Sequence, residues 1–161
     1  NLIEEIRNIK VIGWTTLIFG ISLYLSDKSD IKNKINTNFK ITSAIFIGIL
    51  QILSLIPGVS RSGIAITGAR MLKFNRYDSA KISFLLSIPT LAAVSIFGIN
   101  NLIKSESYDF SFLMIISIFF SFVFSFITIK YFLKYIKKFS LNIFVIYRVC
   151  LGFSLLILAY L

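Results

Sequence analysis

Ile56-Pro57-Gly58-Val59-Ser60-Arg61-Ser62-Gly63-Ile64 interrupts a long apolar sequence with a helix breaker, two glycines, two hydroxyls and a permanent positive charge. Upstream, Ile41 to Ile56 is apolar and helical in character, but at about 1.5 Å of rise per residue it covers only about 24 Å. That falls short of a hydrocarbon core of roughly 30 Å. Downstream, Ile64 to Phe74 resumes a helix too brief to span, then meets Arg70, Lys73, Arg76 and Lys81. Two short helices around a Pro-Gly-Ser-Gly break describe a re-entrant hairpin over 41–74, because proline ends the first helix and the chain must turn back. Irregular backbone at that depth survives only when it is buried in protein or lines a wet cavity.

Working outward, Val11 to Leu25 predicts a span, with Leu2, Ile3, Ile6 and Ile9 available to extend it, and Ser26 to Lys40 reads as a solvated linker. Beyond the hairpin come three further spans, Ile82 to Ile103 (in which Pro89 predicts a kink), Ser111 to Ile129 and Leu141 to Leu161. Hydrophobic residues form 57% of the 161 residues, more apolar surface than a soluble core of this size could hide. The fold class expected is an all-α integral membrane protein with one re-entrant helix hairpin and about four transmembrane helices. A net charge of +10 could suggest nucleic acid, but the Lys and Arg residues lie between the apolar runs, where membrane topology explains them. With no His and a single Cys, Cys150, within an apolar run, neither a disulfide nor a Cys/His metal site can be assembled within this chain, and Cys150 is expected to be a packing residue. The chain opens on Asn1 without a cleavable signal pattern, and a fragment or truncated reading frame is expected.

Charge tests this layout independently of length. The linker 27–40 nets +2, the stretch 70–81 nets +3, 130–138 nets +4, and the connection 104–109 nets −1. If the hairpin enters and leaves on one side, the three basic connections fall in the cytoplasm and the acidic one outside, as topology rules require. A single crossing over Ile41 to Phe74 would scatter the basic segments to opposite sides.

Arg61 carries the chemistry. An arginine near the bilayer centre costs at least ~2.5 to 3.5 kcal/mol on insertion scales and needs a partner, yet no Asp or Glu lies between Lys32 and Lys73. An anionic ligand could supply the charge. Arg61 donates as a fork, Ser60 and Ser62 offer hydroxyls, Gly58 and Gly63 permit close backbone approach, and amides opening the helix after Gly63 point toward the break. Three readings are open from the residues alone: a cradle for a phosphate head group, a hinge for ion or solute transport, and structural packing in which Arg61 pairs with backbone or another chain.

Gln51-Ile52-Leu53-Ser54-Leu55-Ile56-Pro57-Gly58-Val59-Ser60-Arg61-Ser62-Gly63, with Ser83-Phe84-Leu85-Leu86-Ser87-Ile88-Pro89 and Ile146-Tyr147-Arg148, resembles the undecaprenyl-diphosphate phosphatase, or bacitracin-resistance, family over roughly Ile45 to the C-terminus. The resemblance implies two inverted repeats whose broken helices meet near mid-membrane. Residues 1–26 would be the last helix of the first repeat, 27–40 a cytoplasmic linker and 41–161 the second repeat. It also implies hydrolysis of the polyprenyl diphosphate lipid to undecaprenyl phosphate and inorganic phosphate, recycling the carrier for cell-wall synthesis. The location implied is the bacterial cytoplasmic membrane, with the site facing the outer side. Arg61 and Ser60 are the implied catalytic residues, with Ser62, Gly58, Gly63, Gln51 and Arg148 as substrate-binding candidates. A divalent cation, magnesium or calcium, is implied for the full-length protein, with no ligands in this chain. Oligomeric state is open, a homodimer being one option.

Departures from the family pattern accompany the match. Gln51 stands where the first repeat's E-x-x-x-E motif has its leading acid, and Leu55 where it has the second. The acids, hydroxyl-rich hinge and His of the first repeat are absent here, placing the nucleophile or base outside the chain. Ala65 replaces a common Thr, and Thr67 lies about 200° further round the helix. Arg70 replaces a small residue and reads as a cytoplasmic anchor. The run Phe119 to Phe126 reads as lipid contact, and Trp14 as an anchor or packing residue. Two rivals to the enzyme stand: a non-enzymatic polyprenyl-phosphate binder or translocator, and a transporter fragment.

Cysteine labels introduced at 27–40, 70–81 and 130–138 are expected to react from one side of the membrane and labels at 104–109 from the other. Labelling of 70–81 from the side opposite to 27–40 would show that the hairpin crosses.

Overall fold

In the computed structural model, which describes residues 8–104 and 112–161, the chain is an all-α, multi-pass membrane protein. Helix α1 covers Ile9–Asp27, α2 is a single turn at Ile35–Asn38, and α3 covers Ile41–Ile52 and tightens into a 3-10 turn at Leu53–Leu55. Then follow α4 (Arg61–Met71), α5 (Arg76–Lys104), α6 (Phe112–Lys138) and α7 (Asn142–Tyr160). Four of these, α1, α5, α6 and α7, are long and apolar enough to cross a membrane, whereas α3 is apolar but short. The expected extension through Leu2, Ile3 and Ile6, and the acidic connection beyond Lys104, lie outside the described residues.

The hairpin follows from its breakers. Ile56, preceding the proline, is extended, as Pro57 requires of its neighbour. Gly58 then turns the chain with φ +89°, a conformation that costs an L-residue about 1–2 kcal/mol. Ser60 caps α4, its Oγ accepting from the Gly63 amide at 3.1 Å. The helix therefore opens at Arg61, not after Gly63, and ends at Met71, short of the expected Phe74. Its C-terminus is a Schellman motif: Phe74 N–H donates to Ala69 O at 3.2 Å and Lys73 N–H to Arg70 O at 2.9 Å, with Lys73 left-handed at φ +64°.

Both ends of the hairpin lie together. Phe39, just before α3, packs its ring 5.9 Å from that of Phe74, just after α4. The chain thus returns to the end it left, as the charge pattern predicts. The linker is largely exposed beyond Asp27, as expected, but it is also paired to the hairpin. Lys32 and Asn33 amides donate to Lys73 O at 3.0 and 3.1 Å, the Asn33 side chain reaches Leu72 O at 2.8 Å, and the Ile35 amide finds Asp78 Oδ2 at 3.0 Å. Polar composition here serves backbone pairing as well as water.

Asp27 fastens this end. It is 5% exposed, and Arg76 binds it with both Nε (2.8 Å) and Nη2 (3.0 Å). Arg70 Nε lies 3.5 Å from Asp27 Oδ1, and the Leu141 amide reaches Oδ2 at 3.4 Å. One carboxylate thereby joins α1 to α4, α5 and the start of α7. Arg70 is itself 1% exposed and donates to the carbonyls of Phe74 (2.6 Å), Asp27 (2.7 Å) and Ser29 (2.7 Å). It anchors protein backbone within the fold, not the lipid interface.

The most extensive helix contact joins α1 to α7. Glycines allow it: a Cβ on Gly13 would lie 2.7 Å from Leu156 Cδ2, and one on Gly152 2.6 Å from Leu17 Cγ. Small residues at such crossings let backbones approach where lipid offers no hydrophobic drive. Around this pair, Leu23, Ile66, Ala80, Ile136, Leu141 and Val145 form one buried cluster, and Ile47, Ala65, Ala69, Phe74 and Ile82 a second between α3, α4 and α5. Phe119 to Phe126 point outward as expected of lipid contacts, and Trp14 is half exposed. Cys150 is exposed on α7 and does not pack inside, since the buried face of that helix carries Val145, Arg148 and Gly152. Pro89 lies within continuous α5.

Removing the Asp27 carboxylate strands Arg70 without its counter-charge. Asp27→Ala is expected to destabilise the detergent-solubilised protein by about 3–5 kcal/mol. Asp30→Ala, at an exposed site, should leave the melting temperature unchanged, and equal melting of the two variants would deny Asp27 its role.

Candidate functional site

The break between α3 and α4 leaves carbonyls that no helix can satisfy. Thr15 Oγ1, on α1, lies 2.7 Å from Pro57 O, although Val11 O of its own helix competes for the same proton at 2.8 Å. Arg148 Nη2, on α7, donates to Gly58 O at 2.7 Å. Thr16 Oγ1 stands 3.5 Å from the same carbonyl. The hinge is therefore secured by the first and last helices together, which the α1–α7 crossing brings side by side.

Gly58 matters for a reason other than ligand approach. A Cβ there would run into Thr15 Oγ1 and come within 2.7 Å of Ile12 O. Its bare backbone faces α1. Gly63 likewise makes room for protein: a Cβ would lie 2.8 Å from Arg148 Nη1 and 3.1 Å from Ser60 Cβ. The two glycines admit Thr15 and Arg148 to the hinge.

Two cavities flank the start of α4 and share Ser62. One, about 540 Å³, is lined by Gln51, Ser54, Arg61, Ser62, Ser83 and Ser87 among others. The second, about 240 Å³, is lined by Ser60, Ser62, Gly63 and Arg148 together with Leu23, Phe132, Phe144 and Tyr147. Six of the seven residues singled out from sequence line one or the other, and Gly58 supports them from behind.

Arg61 is the first residue of α4, exposed to the larger cavity, and its side chain makes no hydrogen bond or ion pair with any described residue. The Arg61 and Ser62 amides occupy the first turn, where no helical carbonyl can reach them. The Gly63 amide is consumed by the Ser60 cap, so the N-terminal donor set begins earlier than expected. Ser60 Oγ stands 3.3 Å from Ser62 Oγ, and having accepted from Gly63 it can still donate its proton outward. Thr67 is buried and bonds back to Gly63 O at 2.8 Å, so it cannot replace the hydroxyl missing at Ala65, which lines the cavity bare.

Ser54, Ser83 and Ser87 are cavity residues to which sequence reading attached no role. Ser83 and Ser87 are four apart and so share a face of α5, the one available signal. Ser83 Oγ also donates to Ser62 O at 3.3 Å, tying α5 to the opening turn of α4. Among the described residues no carboxylate lines either cavity, and hydroxyls and one amide beside two guanidiniums are a poor donor set for a hard divalent cation. The described residues of the two cavities do not by themselves fit a metal centre.

The chain is matched over residues 1–154 by the family described as bacitracin resistance protein BacA. It is 54% identical over 160 residues to the undecaprenyl-diphosphatase of Pelagibacter ubique (strain HTCC1062), covering 99% of this chain and 61% of the relative. Proteins of the same name from Ruegeria sp. (strain TM1040) and Dinoroseobacter shibae (strain DSM 16493 / NCIMB 14021 / DFL 12) are 38% and 40% identical over 159 residues. The first match covers 99% of this chain and 60% of the relative, the second 98% and 59%. The chain thus spans about three fifths of the length of these curated relatives.

Gly58→Ala combines left-handed strain with collision against α1, and is expected to cost more than ~2 kcal/mol in a thermal melt. Gly48→Ala, on α3 with no atom within 4 Å of the added methyl, should be neutral or stabilising by up to about 1 kcal/mol. A tolerated Gly58→Ala would refute the packing of the hinge on α1.

Proposed function

The chain belongs to the bacitracin resistance protein BacA family, and from that premise we propose that it is the second-repeat part of a membrane phosphatase converting undecaprenyl diphosphate to undecaprenyl phosphate and inorganic phosphate. In this reading residues 1–26 close the first repeat, 27–40 link the two, and 41–161 form the second repeat with its re-entrant hairpin 41–74. The protein resides in the bacterial cytoplasmic membrane with its site open to the outer side.

One observation carries the reading: the Arg61 guanidinium stands unpartnered among the described residues at the N-terminus of α4, inside a cavity walled by serines. A phosphoryl group there would meet the Arg61 fork, the Ser60 and Ser62 hydroxyls and the two unpaired amides of the first turn. Hydrolysis moves the terminal phosphoryl to water and breaks the bridging P–O bond, leaving the lipid monophosphate. Charge gathers on the equatorial and bridging oxygens in that transition state, where fixed donors in a dry site act most strongly. Arg148, held beside Gly63, adds a second positive group. The base that activates water belongs to the part of the relatives' length beyond this chain, as do the carboxylates that would hold magnesium or calcium.

In the full-length protein, Arg61→Ala should lower phosphate release from undecaprenyl diphosphate by about 100-fold or more, with Arg61→Lys recovering part of the rate. Unchanged release in Arg61→Ala would remove Arg61 from the reaction. A wild-type protein that binds the lipid and releases no phosphate with added magnesium or calcium would point instead to a polyprenyl-phosphate carrier.

A further inference from the structure

A third cavity, about 710 Å³, lies between α6 and α7, with Thr128, Tyr131 and Ile143 among its walls. It shares Phe132, Phe144 and Tyr147 with the cavity that holds Ser60, Ser62, Gly63 and Arg148. The two spaces are therefore neighbours across those three rings: polar groups of the hinge on one side, an apolar groove opening outward between two helices on the other. The groove exists because α6 and α7 meet chiefly at one end, through the Phe132–Phe144 and Tyr135–Phe144 ring pairs, and share little direct packing elsewhere. Tyr131 and Tyr147 are each 64% exposed along it.

We propose that this groove is the subsite for the isoprenoid chain of the lipid, a reading that rests on the phosphatase or carrier assignment of the hinge. The occupant follows from continuity. A ligand with its phosphate among Ser60, Ser62 and Arg148 reaches the groove by the shortest way past Phe132, Phe144 and Tyr147, which line both spaces, and a methyl-branched, unsaturated chain packs well on ring faces. The chain already sits in lipid, so the hydrophobic effect adds little. What the groove contributes is dispersion contact and a fixed exit direction, which orients the diphosphate at Arg61. Thr128 and Ile143 line the groove alone and touch neither hinge cavity, so they separate chain binding from head-group chemistry.

The test uses the full-length protein with Thr128→Trp and Ile143→Trp, each filling the groove. With undecaprenyl diphosphate, KM should rise roughly fivefold to tenfold, while a diphosphate bearing two isoprene units is hydrolysed at the wild-type rate. Equal effects on both substrates, or on neither, would overturn the proposal. A second readout needs no hydrolysis: polyprenyl phosphate with a diazirine in its chain should label Thr128, Tyr131 or Ile143, and an acyl-chain diazirine on phosphatidylglycerol should label them at least fivefold less. Label placed elsewhere, or equal labelling by the acyl probe, would also overturn it. A protein labelled in the groove yet releasing no phosphate would sustain the subsite and sink only the phosphatase reading.

Discussion

Two carbonyl groups dictate how α1, the hairpin and α7 come together. Pro57 and Gly58 lie where a helix has been broken, and in a medium without water an unpaired carbonyl costs several kcal/mol. Thr15 and Arg148 supply the donors, from helices separated from the hinge by 42 and 90 residues. They can do so only if α1 and α7 cross closely, which Gly13 and Gly152 permit, and only if Gly58 presents no side chain to α1. Hinge, glycines and crossing form one unit, since relaxing any of them leaves polar groups stranded in the others.

At the opposite end of α4 the problem is charge. Two arginines and one aspartate meet there, and removing such groups from water costs several kcal/mol per ion. Mutual attraction of one pair could not offset this for Arg70, whose closest approach to the Asp27 carboxylate is 3.5 Å and whose Nε lacks a hydrogen bond. Three backbone carbonyls at 2.6 to 2.7 Å do more for it. The arrangement sets direction as well as stability: with its C-terminal turn fixed to α1 and the linker, α4 can aim its N-terminus, and hence Arg61, only into the cavities.

Much of this was legible in the sequence because it depends on local rules. A proline after a run too short to span, a glycine after the proline and a serine before the next helix predict the hairpin, and the alternation of basic and acidic connections predicts that it returns to its starting end. What is not legible there depends on partners far along the chain. Asp27 and Arg70 are 43 residues apart, and nothing local distinguishes an aspartate in a solvated linker from one that closes a helix cluster. The linker's Asn33 reads as polar whether its amide meets water or Leu72 O. Cys150 has apolar neighbours in sequence, yet in a membrane helix apolar surroundings mark both faces, and it lies exposed. The start of α4 at Arg61 turned on the choice between a hinge serine and a capping serine, and Ser60 serves as the cap.

Three arginines approach the interior of this protein, and their partners divide them. Arg70 has a carboxylate and three carbonyls, Arg148 has the carbonyl of Gly58, and Arg61 has none among the described residues. Such a gradation is hard to attribute to structure alone, because a guanidinium kept for packing would be expected to find carbonyls, as Arg70 does. The residual charge also has a size. Arg61 and Arg148 together contribute two positive charges on either side of Ser62, with no acid among the described residues lining either cavity to cancel them. A phosphate monoester carries roughly −1.5 to −2 at neutral pH, close to what the two leave uncompensated, whereas a carboxylate would neutralise only half of it. That balance among the described residues is the electrostatic ground on which the proposed phosphate-bearing ligand rests.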